Sequence, residues 1–242
     1  MDRRTLLVAG GAAAVLRLTG APARAAVRVP IFEWARPGGF FFPGEGVLTP
    51  PALTVYDDGT GFADAAASLP LRARRVESLR AHAEEVLRDP GNTRRDPGKP
   101  ARDQPQDLLR VRRGDGTYVT AELDAWGDGD PDRAFPAALH RLAEDVQDVR
   151  RTVLRGGEPW RPSAVLLATV RLDFAPDDAR PWPTAVPRPD TSRLYSERRL
   201  RGAQARTVRR KLSLATGKLW PAYRLTPAEH AAATWRHLLP HE

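Results

Sequence analysis

Over residues 133–155, Phe135, Leu139, Leu142, Val146, Val149 and Val153 recur at alternating steps of four and three. That spacing lines the apolar side chains along one stripe of an α-helix, and such a stripe has to lie on an apolar surface such as a sheet. Asp130 or Asp132 can cap its start, and Gly156-Gly157 can stop it. Just upstream, residues 108–111, the Asp115-Gly116 turn and residues 118–123 read as a β-hairpin. An earlier block repeats the order. Residues 27–34 alternate as a first strand, and residues 47–56 supply a second, broken by Pro50-Pro51. Asp58-Gly59 turns the chain, residues 60–66 return as a short third strand, and a helix over 75–88 carries Val76, Leu79, Ala83, Val86 and Leu87 on one face. Two hairpin-plus-helix blocks predict an α+β fold, a largely antiparallel sheet with helices on one face. Their likeness hints at internal duplication.

Residues 89–106, rich in Pro, Arg and Asp without periodicity, read as a solvated loop. Residues 165–174 are apolar enough for a central strand. Residues 175–190 hold five prolines and predict a stiff extended connection. A helix over 202–214 and a strand pair over 219–225 and 231–239 complete the chain, too small a unit to expect an independent core. The expected organisation is a signal peptide over 1–25, a main α+β domain over 26–174, the connection over 175–190, and a C-terminal helix and hairpin over 191–242 packed on the main domain.

The chain has 242 residues and no cysteine. Disulfides, thiolate metal sites and a cysteine nucleophile are therefore excluded. Met1-Asp-Arg-Arg followed by a short apolar run is a twin-arginine type of export signal. Ala23-Arg24-Ala25 supplies the small-x-small pattern for cleavage between Ala25 and Ala26. The run is too short to span a bilayer, and no transmembrane segment is expected once it is removed. Removing residues 1–25 takes away four arginines and Asp2, so the net charge of +8 falls to +5. Nearly all the positive charge is arginine, as a GC-rich coding bias would produce. A mildly cationic exported protein is expected, with no nucleic-acid partner.

Gly38, Gly39, Phe40, Phe41, Phe42 and Pro43 form the most unusual stretch. Three adjacent phenylalanines between glycines and a proline are either a buried seam or a surface meant for a partner. Strand alternation would bury Phe41, or Phe40 and Phe42, leaving at least one outside. These six residues are the candidate binding site.

Other chemistry is sparse. Asp128, Asp130 and Asp132 alternate as in a calcium loop, but Arg133 and Leu139 stand where glycine and a bidentate glutamate would be needed, so an acidic helix-capping turn fits better. His82, His140, His230, His237 and His241 fit no metal or catalytic pattern and read as surface or helix-flank residues. Serines lack nucleophile-elbow surroundings. No catalytic residue, metal site or cofactor is predicted. Arg198, Arg199, Arg201, Arg206, Arg209, Arg210 and Lys211 form a basic cluster, read as a solvated helix face or a contact for an anionic envelope polymer or lipid headgroups. Trp160 and Trp182, set among prolines, read as loop anchors rather than sugar platforms.

At Gly38-Gly39-Phe40, at residues 53–59 (LTVYDDG) and at residues 235–242 (WRHLLPHE), the chain resembles a family of exported bacterial proteins of unknown function. That family carries a GGF-Pro segment, a tLYGDG hairpin and a closing RPLLPxE. Asp57 replaces the usual glycine and His237 the usual proline, and the family brings no activity with it. Residues 27–154 are also similar, more faintly, to emfourin-type inhibitors of thermolysin-like metalloproteases, which pair an N-terminal strand and GGF turn with a helix, a second hairpin and a further helix. The expectation is an exported non-enzymatic protein that binds a protein or envelope-polymer partner. A secreted metalloprotease inhibitor and an unrecognised hydrolase are the alternatives.

Overall fold

A computed structural model describes residues 28–36, 45–99, 106–124, 126, 133–214 and 220–242. The fold is α+β, as the two hairpin-plus-helix blocks predict, with its strands divided between two sheets.

The first sheet is antiparallel throughout. It contains β1 (Pro30–Ala35), β2 (Leu53–Tyr56), β3 (Thr60–Ala63), β4 (Ala67–Pro70), β5 (Gln106–Arg112), β6 (Tyr118–Asp124) and β7 (Glu158–Pro159), ordered β6-β5-β1-β2-β3-β4-β7. The two blocks join where β1 pairs with β5, Trp34 opposite Leu109. Residues 47–56 are not one strand. Glu45–Leu48 forms a single helical turn, α1, and only the residues after Pro50-Pro51 extend into β2, because proline disfavours continuation of either ladder across it. The third strand ends at Ala63, where Asp64 and Ala65 take left-handed φ of 53° and 48° and turn the chain into β4, a strand the sequence reading did not assign. The Arg150 guanidinium grips the Asp64 carboxylate at 2.6 and 3.0 Å, holding this strained turn.

Two helices cover one face of this sheet. α2 (Ala73–Arg88) buries Leu79, Ala83, Val86 and Leu87, and α3 (Ala137–Gly156) buries Leu139, Leu142, Val146, Val149 and Val153 against Phe32, Trp34, Leu53 and Val55. The start of α3 falls four residues later than expected. Pro136 is its N-cap and makes no side-chain cap, and a residue preceding proline is disfavoured in the helical region. Asp130 and Asp132 lie outside the described residues. At the far end Gly157 is the C-cap. A Cβ there would sit 2.5 Å from the Val153 carbonyl oxygen and 2.8 Å from that of Ser68, so the helix and β4 approach as only glycine permits.

The second sheet contains β8 (Ala164–Leu172), β9 (Arg180–Pro181), β10 (Tyr195–Arg201), β11 (Ala222–Arg224) and β12 (His230–His237), ordered β10-β8-β12-β11-β9. All pairs are antiparallel except β11 with β9. The strand expected at the centre of the main domain is therefore β8, an inner strand of this second sheet, which begins at Ala164 and takes in the segment beyond residue 174. The proline-rich connection belongs to it too: β9 pairs there, Val186 is buried, and Trp182 stacks edge-on against Tyr223 with centroids 5.5 Å apart. The helix α4 (Gly202–Lys211) packs Ala205 and Val208 over Val165, Leu167 and Trp235. No element was expected over β10, whose run of charge hides its alternation.

Candidate functional site

Gly38, Gly39, Phe40, Phe41, Phe42 and Pro43 lie outside the described residues, as do Ala25 and Ala26. The chain on either side is firmly held. At the end of β1, Trp34 Nε1 donates to the fully buried Asp107 carboxylate at 2.7 Å, and Arg36 reaches the same oxygen at 3.3 Å. On the other side, the Val47 carbonyl of α1 accepts from Arg236 Nε at 2.7 Å, and Leu48 packs on Ala168, Val170, Trp220 and Ala232 of the second sheet. Residues 37–44 thus connect a strand of one sheet to a turn seated on the other.

A chain of buried polar contacts lies on the first sheet's second face. Alternation turns Phe32, Trp34 and Val55 toward the helices, leaving Glu33, Thr54 and Tyr56 opposite. The chain returns after β12 and lays Leu239 on Tyr56, Phe62 and Ala65, with Trp160 alongside. The Tyr56 hydroxyl lies 2.6 Å from His241 Nδ1, and His241 Nε2 lies 3.2 Å from Glu33 Oε2. Burial, then the charges of Glu33 and Glu242, push the Tyr56 phenol well above its ordinary range, outweighing the lowering influence of the His241 backbone and of Arg28. The phenol therefore keeps its proton, and the direction of its bond to Nδ1 follows the His241 tautomer. Glu33 Oε2 and Thr54 Oγ1 are buried without a hydrogen bond.

Arg236 and Glu242 close the same tail. Two guanidinium nitrogens meet the two carboxylate oxygens at 2.5 and 2.8 Å, and the Leu239 amide donates to Oε2 at 2.8 Å. Burial alone would raise the Glu242 carboxyl; the Arg236 and Leu239 bonds outweigh it and hold the group below its ordinary value. His237 is held below its ordinary value by burial and by Arg209.

Phenol, imidazole and carboxylate in a row can relay a proton, and the five principal clefts among the described residues lie elsewhere. The arrangement clasps the returning tail to the first sheet. Two clefts at one end of the second sheet share Ala175, Pro227 and His230, the wider being about 640 Å³ and open to solvent. His230, expected at the surface, is buried at their common wall, and Phe174 is 66% exposed beside it. His82 bonds Asp145 across α2 and α3 at 2.6 Å. Among the described residues no cluster of three or more metal-ligating side chains forms, and no helix is long and apolar enough to cross a membrane. Trp160 and Trp182 anchor their loops, donating to the Leu238 and Val186 carbonyls at 3.1 Å each.

The fold and these contacts define a two-sheet α+β protein in which buried polar contacts tie the chain after β12 to the first sheet. No protein-family model, curated protein or solved structure matches the chain. The sequence reading missed Glu33, Arg236 and Glu242. Two signals were available: the outward parity of Glu33 in β1, and the closing segment WRHLLPHE, which contains Arg236 and Glu242.

Proposed function

We propose that this chain is an exported, non-enzymatic protein that binds another macromolecule at or outside the cell envelope, with residues 38–43 as its contact segment. Export rests on the twin arginines, the apolar run and the Ala23-Arg24-Ala25 pattern. The observation that carries the binding reading is the anchoring of both roots of the phenylalanine segment, at buried Asp107 on one side and through Arg236 and Leu48 on the other. Roots already fixed in place lower the ordering cost a partner must offset.

The experiment deletes Phe40 to Phe42 from the full chain. The wild type and the deletion are compared for retention of envelope and culture-fluid components, alongside thermal unfolding. The reading expects partner retention to vanish at an unchanged melting temperature. Unfolding of the deletion would place the phenylalanines in the core and defeat it.

A further inference from the structure

His230 is 6% exposed, and its imidazole makes no hydrogen bond or ion pair among the described residues. A polar ring this buried ordinarily has a partner inside the fold. His230 instead lines both clefts at the end of the second sheet. In the ladder it stands opposite Leu172 of β8 on one side and Arg224 of β11 on the other, so the three side chains share one face of the sheet. Arg224 and Asp177 line the wider cleft, are exposed, and likewise make no side-chain hydrogen bond or ion pair among the described residues. Phe174, 66% exposed, lines the narrower one.

Other charged groups of the clefts are already engaged. Arg171 pairs with Asp173 at 3.1 Å and donates to the Thr191 carbonyl at 3.3 Å. Glu229 accepts from the Thr191 and Thr226 hydroxyls at 2.8 and 3.2 Å. The Trp182 amide donates to the Arg224 carbonyl at 2.9 Å. These bonds fix the walls in advance, which lowers the ordering cost of binding. They leave free a donor at Arg224, an acceptor at Asp177 and, at His230, a ring that when neutral has one donor and one acceptor nitrogen.

We propose that the two clefts bind a neutral pyranose oligosaccharide across His230. Every sugar hydroxyl both donates and accepts, so one ligand serves Arg224, Asp177 and His230 together, and the C–H face of a pyranose ring covers the Phe174 ring. An anion would gain Arg224 but meet Asp177 and Glu229, and a cation would meet Arg224, so net charge on the ligand brings no advantage. The clefts hold about 390 and 640 Å³, within the ~300–1,000 Å³ usual for ligand sites. A lipid surface fits less well. Phe174 and Leu194, whose carbonyl accepts from the Arg171 amide, are exposed near this end, but exposed Asp173, Asp177 and Asp178 accompany Phe174 in the chain, and anionic headgroups repel them. A peptide strand finds no ladder to extend, because the edge strand β9 has two residues and one is Pro181. The reading uses none of residues 38–43 and does not rest on them.

The test is isothermal titration of the full chain with cellohexaose, maltohexaose and N-acetylchitohexaose. At least one should bind, and its affinity should change by less than about twofold between low and high salt, because no charge is neutralised. Phe174→Ala should weaken that binding about five- to tenfold through the lost ring contact. Asp177→Ala and Arg224→Ala should each weaken it about tenfold through a lost charged hydrogen bond. All three side chains are exposed, so the variants should melt as the wild type does. Leu154→Ala, an exposed apolar change on α3, is the control and should bind normally. His230→Phe keeps a ring and removes both nitrogens, and should bind more weakly still; if it unfolds, the three surface variants decide. Failure of all three sugars to bind the wild type, or binding that survives every cleft variant, would overturn the proposal. Tighter binding of polygalacturonate, a proline-rich peptide, or phosphatidylcholine or phosphatidylglycerol vesicles, lost in the same variants, would overturn the choice of ligand.

Discussion

Replacing Tyr56 with phenylalanine removes one oxygen and leaves the ring in its edge-on contact with Phe62, centroids 5.3 Å apart. What disappears is the 2.6 Å bond to His241 Nδ1. A hydrogen bond of this kind contributes about 0.5–1.5 kcal/mol net, and a partner left unsatisfied in a buried place adds about 1–3 kcal/mol. The His241 side chain keeps 23% of its exposure, so water can take over part of the loss, and the expected cost is about 1–2 kcal/mol. For a chain of this size that lowers the melting temperature by about 2–8 °C. The assay is urea unfolding of the wild type, Tyr56→Phe, His241→Ala and the double variant. If phenol and imidazole act as one clasp, the single losses do not add, and the coupling is about 1 kcal/mol. Additivity within about 0.3 kcal/mol would show that the bond contributes nothing and refute the clasp.

The two glycines ending α3 should respond in opposite directions. Gly157→Ala forces a Cβ onto two carbonyl oxygens and should cost about 1–3 kcal/mol, whereas a Cβ at Gly156 meets only Leu69 at 3.8 Å and should stabilise by about 0.4–1 kcal/mol; thermal unfolding of both distinguishes them. Because the Glu242 carboxyl is depressed in the folded state, its contribution is present above the ordinary value of 4.5 and disappears as pH falls through the folded value. Glu242→Gln should therefore be less stable than wild type at neutral pH, with the gap narrowing below about pH 4.5. His237 is depressed as well, so protonation destabilises the fold as pH drops below 6.5, and His237→Gln should flatten the stability profile on that side.

Periodicity carried much of the fold. The α3 stripe was legible because five buried side chains repeat on one face, and the Asp58-Gly59 turn because Gly59 takes φ of 80°. Pairing between distant strands was not legible. An apolar run such as 165–172 states that it is buried on both sides but not in which sheet, and its partner β10 reads as charge because an edge strand needs only one apolar face. The Ala65 turn was hidden for another reason: a left-handed alanine carries no sequence signature. The clasp was the least visible feature, since Glu33, Tyr56 and His241 share neither a spacing nor a motif, and only the fold brings them together.

Tyr56 and His241 are 185 positions apart, and that separation bears on folding order. Every strand of the first sheet, through Pro159, precedes the second sheet in the chain. Its hairpins can therefore form while the outer sides of Tyr56, Phe62 and Ala65 are still wet. Their cover arrives only when β12 has paired with β8 and the chain has turned back through Leu238 and Leu239. Contacts of such long sequence separation close slowly, after the loop entropy has been overcome. The first sheet can thus exist half-finished, its apolar outer side displayed, until the second sheet delivers the lid.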